Sequence, residues 1–176
     1  MAPSGFTYRF RDPLGRPEDK GGAPPRYRRS VEGGMIVERD VPVPMRDGVE
    51  ILIDVFRPAD ERPAPPLIAW GPYGKHGHTQ YSQSFPKADV KDEHISRYTA
   101  FEAPNALDWV AHGYAIINVD PRGTWYSSGR ATYLSPEEAQ DFYDLIEWAG
   151  TQPGATARSG SWASRTSPPR NGALRR

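Results

Sequence analysis

The stretch that most constrains this chain is residues 114–150, YAIINVDPRGTWYSSGRATYLSPEEAQDFYDLIEWAG. It opens with an apolar, β-branched run over 114–119, the pattern of a buried strand. Asp120, Pro121, Arg122 and Gly123 break that run. Pro136 then sits where a first helical turn tolerates proline, with Ser135 before it as N-cap and Glu137 and Glu138 in the first turn. Phe142, Leu145, Ile146 and Ala149 follow at helical spacing. Strand, polar crossover and helix form one unit of a parallel α/β sheet, and such a unit needs another strand after its helix. The remaining residues, GATARSGSWASRTSPPRNGALRR, carry no strand pattern. The expected architecture is therefore α/β with an incomplete sheet, its edge left unpaired at 114–119.

The preceding chain fits the same class. Residues 1–34 are polar, basic and broken by proline and glycine, which predicts a flexible N-terminal segment that Phe6, Tyr8, Phe10 and Tyr27 can pin to a surface. Residues 35–45, MIVERDVPVPM, alternate as an edge strand, because Pro42 and Pro44 cannot donate to a ladder. Arg46-Asp47-Gly48 is a turn signal, and residues 49–56 form the second strand of an antiparallel hairpin, with Glu50 and Asp54 expected to face solvent. A third strand covers 65–70 and ends in Gly71-Pro72-Tyr73-Gly74-Lys75. Residues 76–98 read as a long surface loop with a helical turn, and 103–112 as a short helix closed by Gly113. The chain thus divides into a flexible 1–34, a partial domain at 35–153 and a disordered tail at 154–176.

Composition narrows the function. Formal net charge is zero, which points to neither nucleic acid nor a membrane surface as partner. There is no cysteine, so disulfides and thiolate metal sites are excluded. No apolar run reaches the ~18 residues of a membrane span, and the first residues show no apolar signal core. The expectation is a cytoplasmic chain without membrane anchor. His76, His78, His94 and His112 give no metal-ligand spacing, and no cofactor or metal is expected. His112 is placed to meet the C-terminal dipole of the 103–112 helix. Asp120 and Arg122, at a strand end beside Pro and Gly, read as loop-fixing groups acting through ion pairs and backbone hydrogen bonds.

Four motifs occur in order: VPMRDGV with LIDVFRP, GPYGK, HGYAIINVDPRGT with SSG, and LSPEEAQDFYDLIEWAGTQP. Together, over about 36–153, they resemble the Xaa-Pro dipeptidyl-peptidase and cocaine-esterase-like family of serine hydrolases, which have the α/β-hydrolase fold. The resemblance implies cleavage of acyl esters or Xaa-Pro peptides by a Ser-Asp-His triad with no metal or organic cofactor. It places the serine on a G-V-S-Y elbow after the helix at 137–150, with Asp and His far downstream. It gives Tyr73 the part of an oxyanion-hole donor. A phenol donating to the developing oxyanion is worth roughly 3–4 kcal/mol in the transition state. From residue type alone Tyr73 reads instead as a turn aromatic packed over Trp70.

The tail carries five arginines (Arg158, Arg165, Arg170, Arg175, Arg176), no lysine and no acid. A selected basic arm mixes Lys with Arg; Arg with Ala, Pro, Gly and Ser is what GC-rich DNA yields in an unselected frame. The codons permit a test. If one base is lost at Pro153, each original codon joins the third base of one present codon to the first two of the next. Residues 154–176 then back-read as WSNGKVGLLGVSYLAATQWR. Trp162 has a single codon, so the residue spanning Trp162 and Ala163 is forced to be glycine. The elbow serine would span Ser164 and Arg165. About twenty consecutive codons thus admit a strand, a G-V-S-Y elbow and a helix start. Ser161, Ser164 and Ser167 are not read as nucleophiles, because no strand-turn-helix frames them.

The reading is an N-terminal fragment of a serine hydrolase whose frame shifts after Pro153, inactive because the serine elbow and the downstream Asp and His are missing. The alternative is a non-catalytic binding or interaction protein that uses the 76–98 loop and the basic tail.

Overall fold

The computed structural model describes residues 25–76, 87, 89–155 and 160–163. Six strands form one sheet: β1 Arg28–Glu32, β2 Met35–Pro44, β3 Glu50–Pro58, β4 Pro66–Trp70, β5 Ala115–Asp120 and β6 Gly160–Ala163. Helix α1 is Ala106–Ala111 and helix α2 is Pro136–Thr151, with a 3₁₀ turn at Asp92–His94. The spatial order is β1-β2-β3-β5-β4-β6. The first three ladders are antiparallel; β4 pairs in parallel with both β5 and β6. Among the described residues no helix is long and apolar enough to cross a membrane.

Local chemistry explains the elements. All six residues of β5 are buried, as expected of a strand covered on both faces. Ile117 and Val119 join Ile51, Ile53, Ile68, Leu145 and Ala149 on the α2 face. Ile116 joins Phe56, Tyr98, Ala106 and Val110 on the α1 face. The period of two therefore sorts one continuous apolar run between two cores. The predicted helix start is in place: Ser135 Oγ accepts from the Glu138 N–H, and Pro136 follows it. On α1, Asn105 caps by accepting from the Leu107 N–H, and His112 Nδ1 lies 2.8 Å from the Asp108 carbonyl.

Four expectations are corrected. Residues 25–34 are not a free segment, since β1 pairs with β2 from Arg28↔Arg39 to Glu32↔Met35. The 35–45 strand is consequently an interior strand over its first half. Pro42 and Pro44 lie past the end of β1, where their missing N–H groups cost no ladder bond. Asp54 does not face solvent; it is fully buried. Finally, the tail contains a strand, and the sheet does not stop at β5. Gly154 turns with φ 85°, its carbonyl accepts from the Ala64 N–H at 2.8 Å, and Ala64 bridges Ala155. The chain then runs beside β4, from Leu67↔Gly160 to Trp70↔Ala163. The free edge of β4 offers a row of unpaired backbone groups, and that slot accepts a short extended segment largely regardless of its side chains. The expectations for residues 1–24, including Phe6, Tyr8 and Phe10, and for 156–159 and 164–176 fall outside the described residues.

Candidate active site

Ligand sites of parallel α/β sheets form outside the C-terminal ends of the strands. Here β4 ends at Trp70 and β5 at Asp120, side by side. The loops leaving them, 71–76 and 121–135, build the candidate site together with 98–103 from the segment before α1.

The loop after β4 carries Tyr73, which is half exposed. Its ring does not lie over Trp70, which packs edge-on against Phe142 instead. Tyr73 stands edge-on to Phe101, with centroids 4.6 Å apart. Together with Trp70, Gly71, Ala100, Asn118 and Val119 the two rings line a narrow cleft at the strand ends. Gly74 follows with φ 92°, and a Cβ there would fall 2.2 Å from the Trp125 indole nitrogen, so only glycine fits. A larger cavity of about 230 Å³ opens at the other end of the sheet, around Ala64, Pro66, Ala115, Trp148 and Ala155.

Beneath Tyr73 lies a buried charge cluster that sequence reasoning missed. Lys75 is 1% exposed. Its Nζ lies 2.6 Å from Asp40 Oδ1 and 3.0 Å from Asp54 Oδ1. Its backbone N–H donates to Asp120 Oδ1 at 2.8 Å. Arg39 donates to Asp54 from the other side. Asp40 reaches the cluster because β2 bulges between Glu38 and Val41, leaving Asp40 at φ 54°. Burial alone would neutralise Lys75, but the charge of Asp54 and the hydrogen bond it donates to Asp40 hold its pKa above the ordinary lysine value. Burial pushes Asp120 up to about 7, with Lys75 opposing and Asp54 and Asp40 adding. Lys75 and Arg39, with exposed Arg28 3.8 Å from Asp40, face three carboxyls, and buried Asp120 retains its proton toward neutrality. Asp120 Oδ2 has no hydrogen-bond partner among the described residues. One signal for this cluster was legible. Alternation puts Asp54 on the same face as Leu52 and Phe56, a carboxylate amid apolar neighbours, which requires a buried partner.

The loop after β5 is fixed as its sequence suggests. Arg122 forks onto Asp141 of α2 and also reaches Asp47 in the hairpin turn at 2.7 Å. The Arg122 hydrogen bond holds the Asp47 carboxyl below its ordinary value. Asp120 and Arg122 therefore anchor separate partners rather than each other. A Cβ at Gly123 would fall 2.1 Å from the Ala131 backbone nitrogen. Ser127 Oγ donates to the Asp120 carbonyl and accepts from the Leu52 N–H, while Ser128 exchanges bonds with Glu50. These two serines continue the β3 ladder past Leu52, its last residue paired with β5.

Of the histidines, His76 packs edge-on against Trp125, and burial followed by the charge of Lys75 lowers its pKa. His94 sits on the 3₁₀ turn and His112 at the end of α1, so these three are not brought together. His78, like 77–86 and 88 of the 76–98 loop, lies outside the described residues. Among the described residues no three His, Asp or Glu side chains converge as a metal site. Ser161 lies in β6 opposite Ile68, and the strand leads directly to Ser164. A strand therefore does precede Ser164, contrary to the sequence expectation.

Comparison with known proteins agrees with this architecture. The chain is 31% identical over 118 residues to the cocaine esterase of Rhodococcus sp. (strain MB1 Bresler), covering 67% of this chain and 17% of that protein. The structure of a CocE/NonD family hydrolase from Staphylococcus aureus superposes with a TM-score of 0.66 at 30% identity, over 81% of this chain and 26% of the other. An α-amino acid ester hydrolase shares the fold, with a TM-score of 0.50 at 22% identity, over 75% of this chain and 22% of that one. The chain thus spans about a fifth to a quarter of these proteins. The family model for X-Pro dipeptidyl-peptidases (S15 family) matches residues 47–162, which runs from the hairpin turn through β5 and α2 into β6. With its strand order, crossover loops and family match in agreement, the chain belongs to the X-Pro dipeptidyl-peptidase (S15) family of α/β-hydrolases.

Proposed function

We propose that this chain is the first part of a serine hydrolase for acyl esters or Xaa-Pro peptides, with Tyr73 as an oxyanion donor, and that its elbow serine is out of frame after Pro153. The observation carrying the reading is the slot beside β4. β6 ends at Ala163, opposite Trp70, the last β4 residue before the loop that bears Tyr73. That is where a nucleophile elbow has to stand to use a phenol from the 71–76 loop, within about 3 Å of the oxyanion.

The residues in the slot do not suit the task. No G-x-S-x-G occurs in the 176 residues. Around Ser164 the positions two before and two after are Trp162 and Thr166. The nucleophile turn is sharp and strained, with helix and strand in close approach, and glycines at those places relieve the crowding. Restoring one base at Pro153 places the forced glycine opposite Trp70, and a serine two residues beyond it. Since β6 fills the backbone slot in the present frame, the frame-shift account rests on residue identity alone.

The test is to sequence the gene from the Gln152 codon through about ninety bases. In parallel, both reading frames are expressed and treated with a fluorophosphonate probe and p-nitrophenyl acetate. The reading expects no probe labelling of the present frame, and labelling with ester turnover once an extended, frame-restored product is made. Labelling of Ser164 in the present frame would refute it.

A further inference from the structure

The cluster beneath Tyr73 does more than the fold requires of it. A loop leaving β4 could turn on the surface, yet Lys75 is driven into the sheet between two carboxylates, where desolvation of all three groups opposes their attraction. Apolar side chains of similar volume commonly serve stability as well or better. What the charges add is a defined place.

We propose that Lys75 is a positioning residue for Tyr73, its ammonium held by Asp40 and Asp54 and its backbone N–H held by Asp120, so that the 71–76 loop presents the phenol at the oxyanion slot. The inference rests on the oxyanion reading of Tyr73 given above. Three observations carry it. The tethers come from three different strands, Asp40 from β2, Asp54 from β3 and Asp120 from β5, so the loop is located against the sheet rather than by its own turn. Between Lys75 and Tyr73 stands only Gly74, whose space is closed by the Trp125 indole, so the two residues cannot move independently. On its other side the Tyr73 ring abuts Phe101. A donor fixed before reaction spends no reorganisation when the oxyanion forms, and a misplacement of about 1 Å removes much of its value.

The chain is labelled with 3-fluorotyrosine, and the Tyr73 resonance is assigned by its loss in Tyr73→Phe. In Lys75→Met the Tyr73 signal is expected to shift and broaden, while that of exposed Tyr143 stays in place. A folded Lys75→Met with an unmoved Tyr73 signal overturns the proposal. Lys75→Met leaves Asp40 and Asp54 facing each other, so the unaltered chain supplies a second reading that needs no variant. The Lys75 amide should exchange with solvent at least about 100-fold more slowly than in an unstructured chain; unprotected exchange overturns the proposal.

In the frame-restored protein, Tyr73→Phe should lower kcat by about 10²–10³ with little change in KM. Lys75→Met should lower kcat in the Tyr73 background and add almost nothing on top of Tyr73→Phe. A Lys75→Met loss that persists undiminished in the double variant means a merely structural lysine. A silent Tyr73→Phe refutes the oxyanion reading, and the fluorine and exchange results, which do not depend on catalysis, identify that failure as its own.

Discussion

The two flanks of the sheet are held by different means. On the hairpin flank, β1, β2, β3 and β5 are joined by antiparallel ladders and tied again by side chains. Arg39 meets Asp54, Arg57 meets Glu38, Arg46 forks onto Asp144, and Arg122 links the hairpin turn to α2. On the far flank, β6 is joined to β4 by a four-residue parallel ladder and one bridge at Ala64 and Ala155. On the first flank side-chain ion pairs add to the ladders; on the second the described contacts are those of the backbone. A strand edge accepts an extended segment through its backbone groups, which is how residues without a strand pattern can fill the slot beside β4.

The sharpest way to break this comparison is at Asp54. Asp54→Ala leaves buried Lys75 and half-buried Arg39 with one carboxylate fewer, and removing one member of a buried pair such as Lys75–Asp54 costs about 3–5 kcal/mol. The midpoint of guanidinium unfolding should fall accordingly; a cost below 1 kcal/mol would mean that the cluster does not organise this flank.

Asp120 sharpens it through pH. Its folded pKa is raised to about 7 from 3.8 by burial. The native state therefore binds this proton more tightly than the unfolded chain. The stability it supports is fully present below about pH 4 and is lost as pH rises through about 7. At 1.4 kcal/mol per pH unit the full change is on the order of 4 kcal/mol. Asp120→Asn should flatten the stability curve between pH 4 and pH 7; an unchanged slope would show that another group titrates there.

The smallest effect is expected on the far flank. Ser161→Pro removes a donor from β6, and one ladder bond contributes about 0.5–1.5 kcal/mol net. Thermal unfolding should shift by a few degrees at most. A loss as large as that of Asp54→Ala would erase the contrast between the flanks.

The legible parts of the fold were those written in local pattern. The hairpin turn at Arg46-Asp47-Gly48, the Ser135 cap with Pro136, and the continuous apolar run of β5 each follow from two or three adjacent residues. Tyr73 was singled out through the family resemblance, while its packing neighbour was misjudged, because Phe101 is distant in sequence and meets it only in the folded chain. Lys75 was passed over for the same reason. Its partners lie 35, 21 and 45 residues away, on three strands.

By itself, the sequence determined the unit types and their order from β2 to the long helix α2, since periodicity, caps and turns are properties of neighbouring residues, while its four motifs carried the family resemblance. Tertiary structure alone decided the burial of Asp54, the inward bulge at Asp40, the interior place of β2 and the existence of β6. Each of these depends on which backbone edge or charge comes to lie opposite, and chain closure brings those partners together across distances that no local pattern encodes.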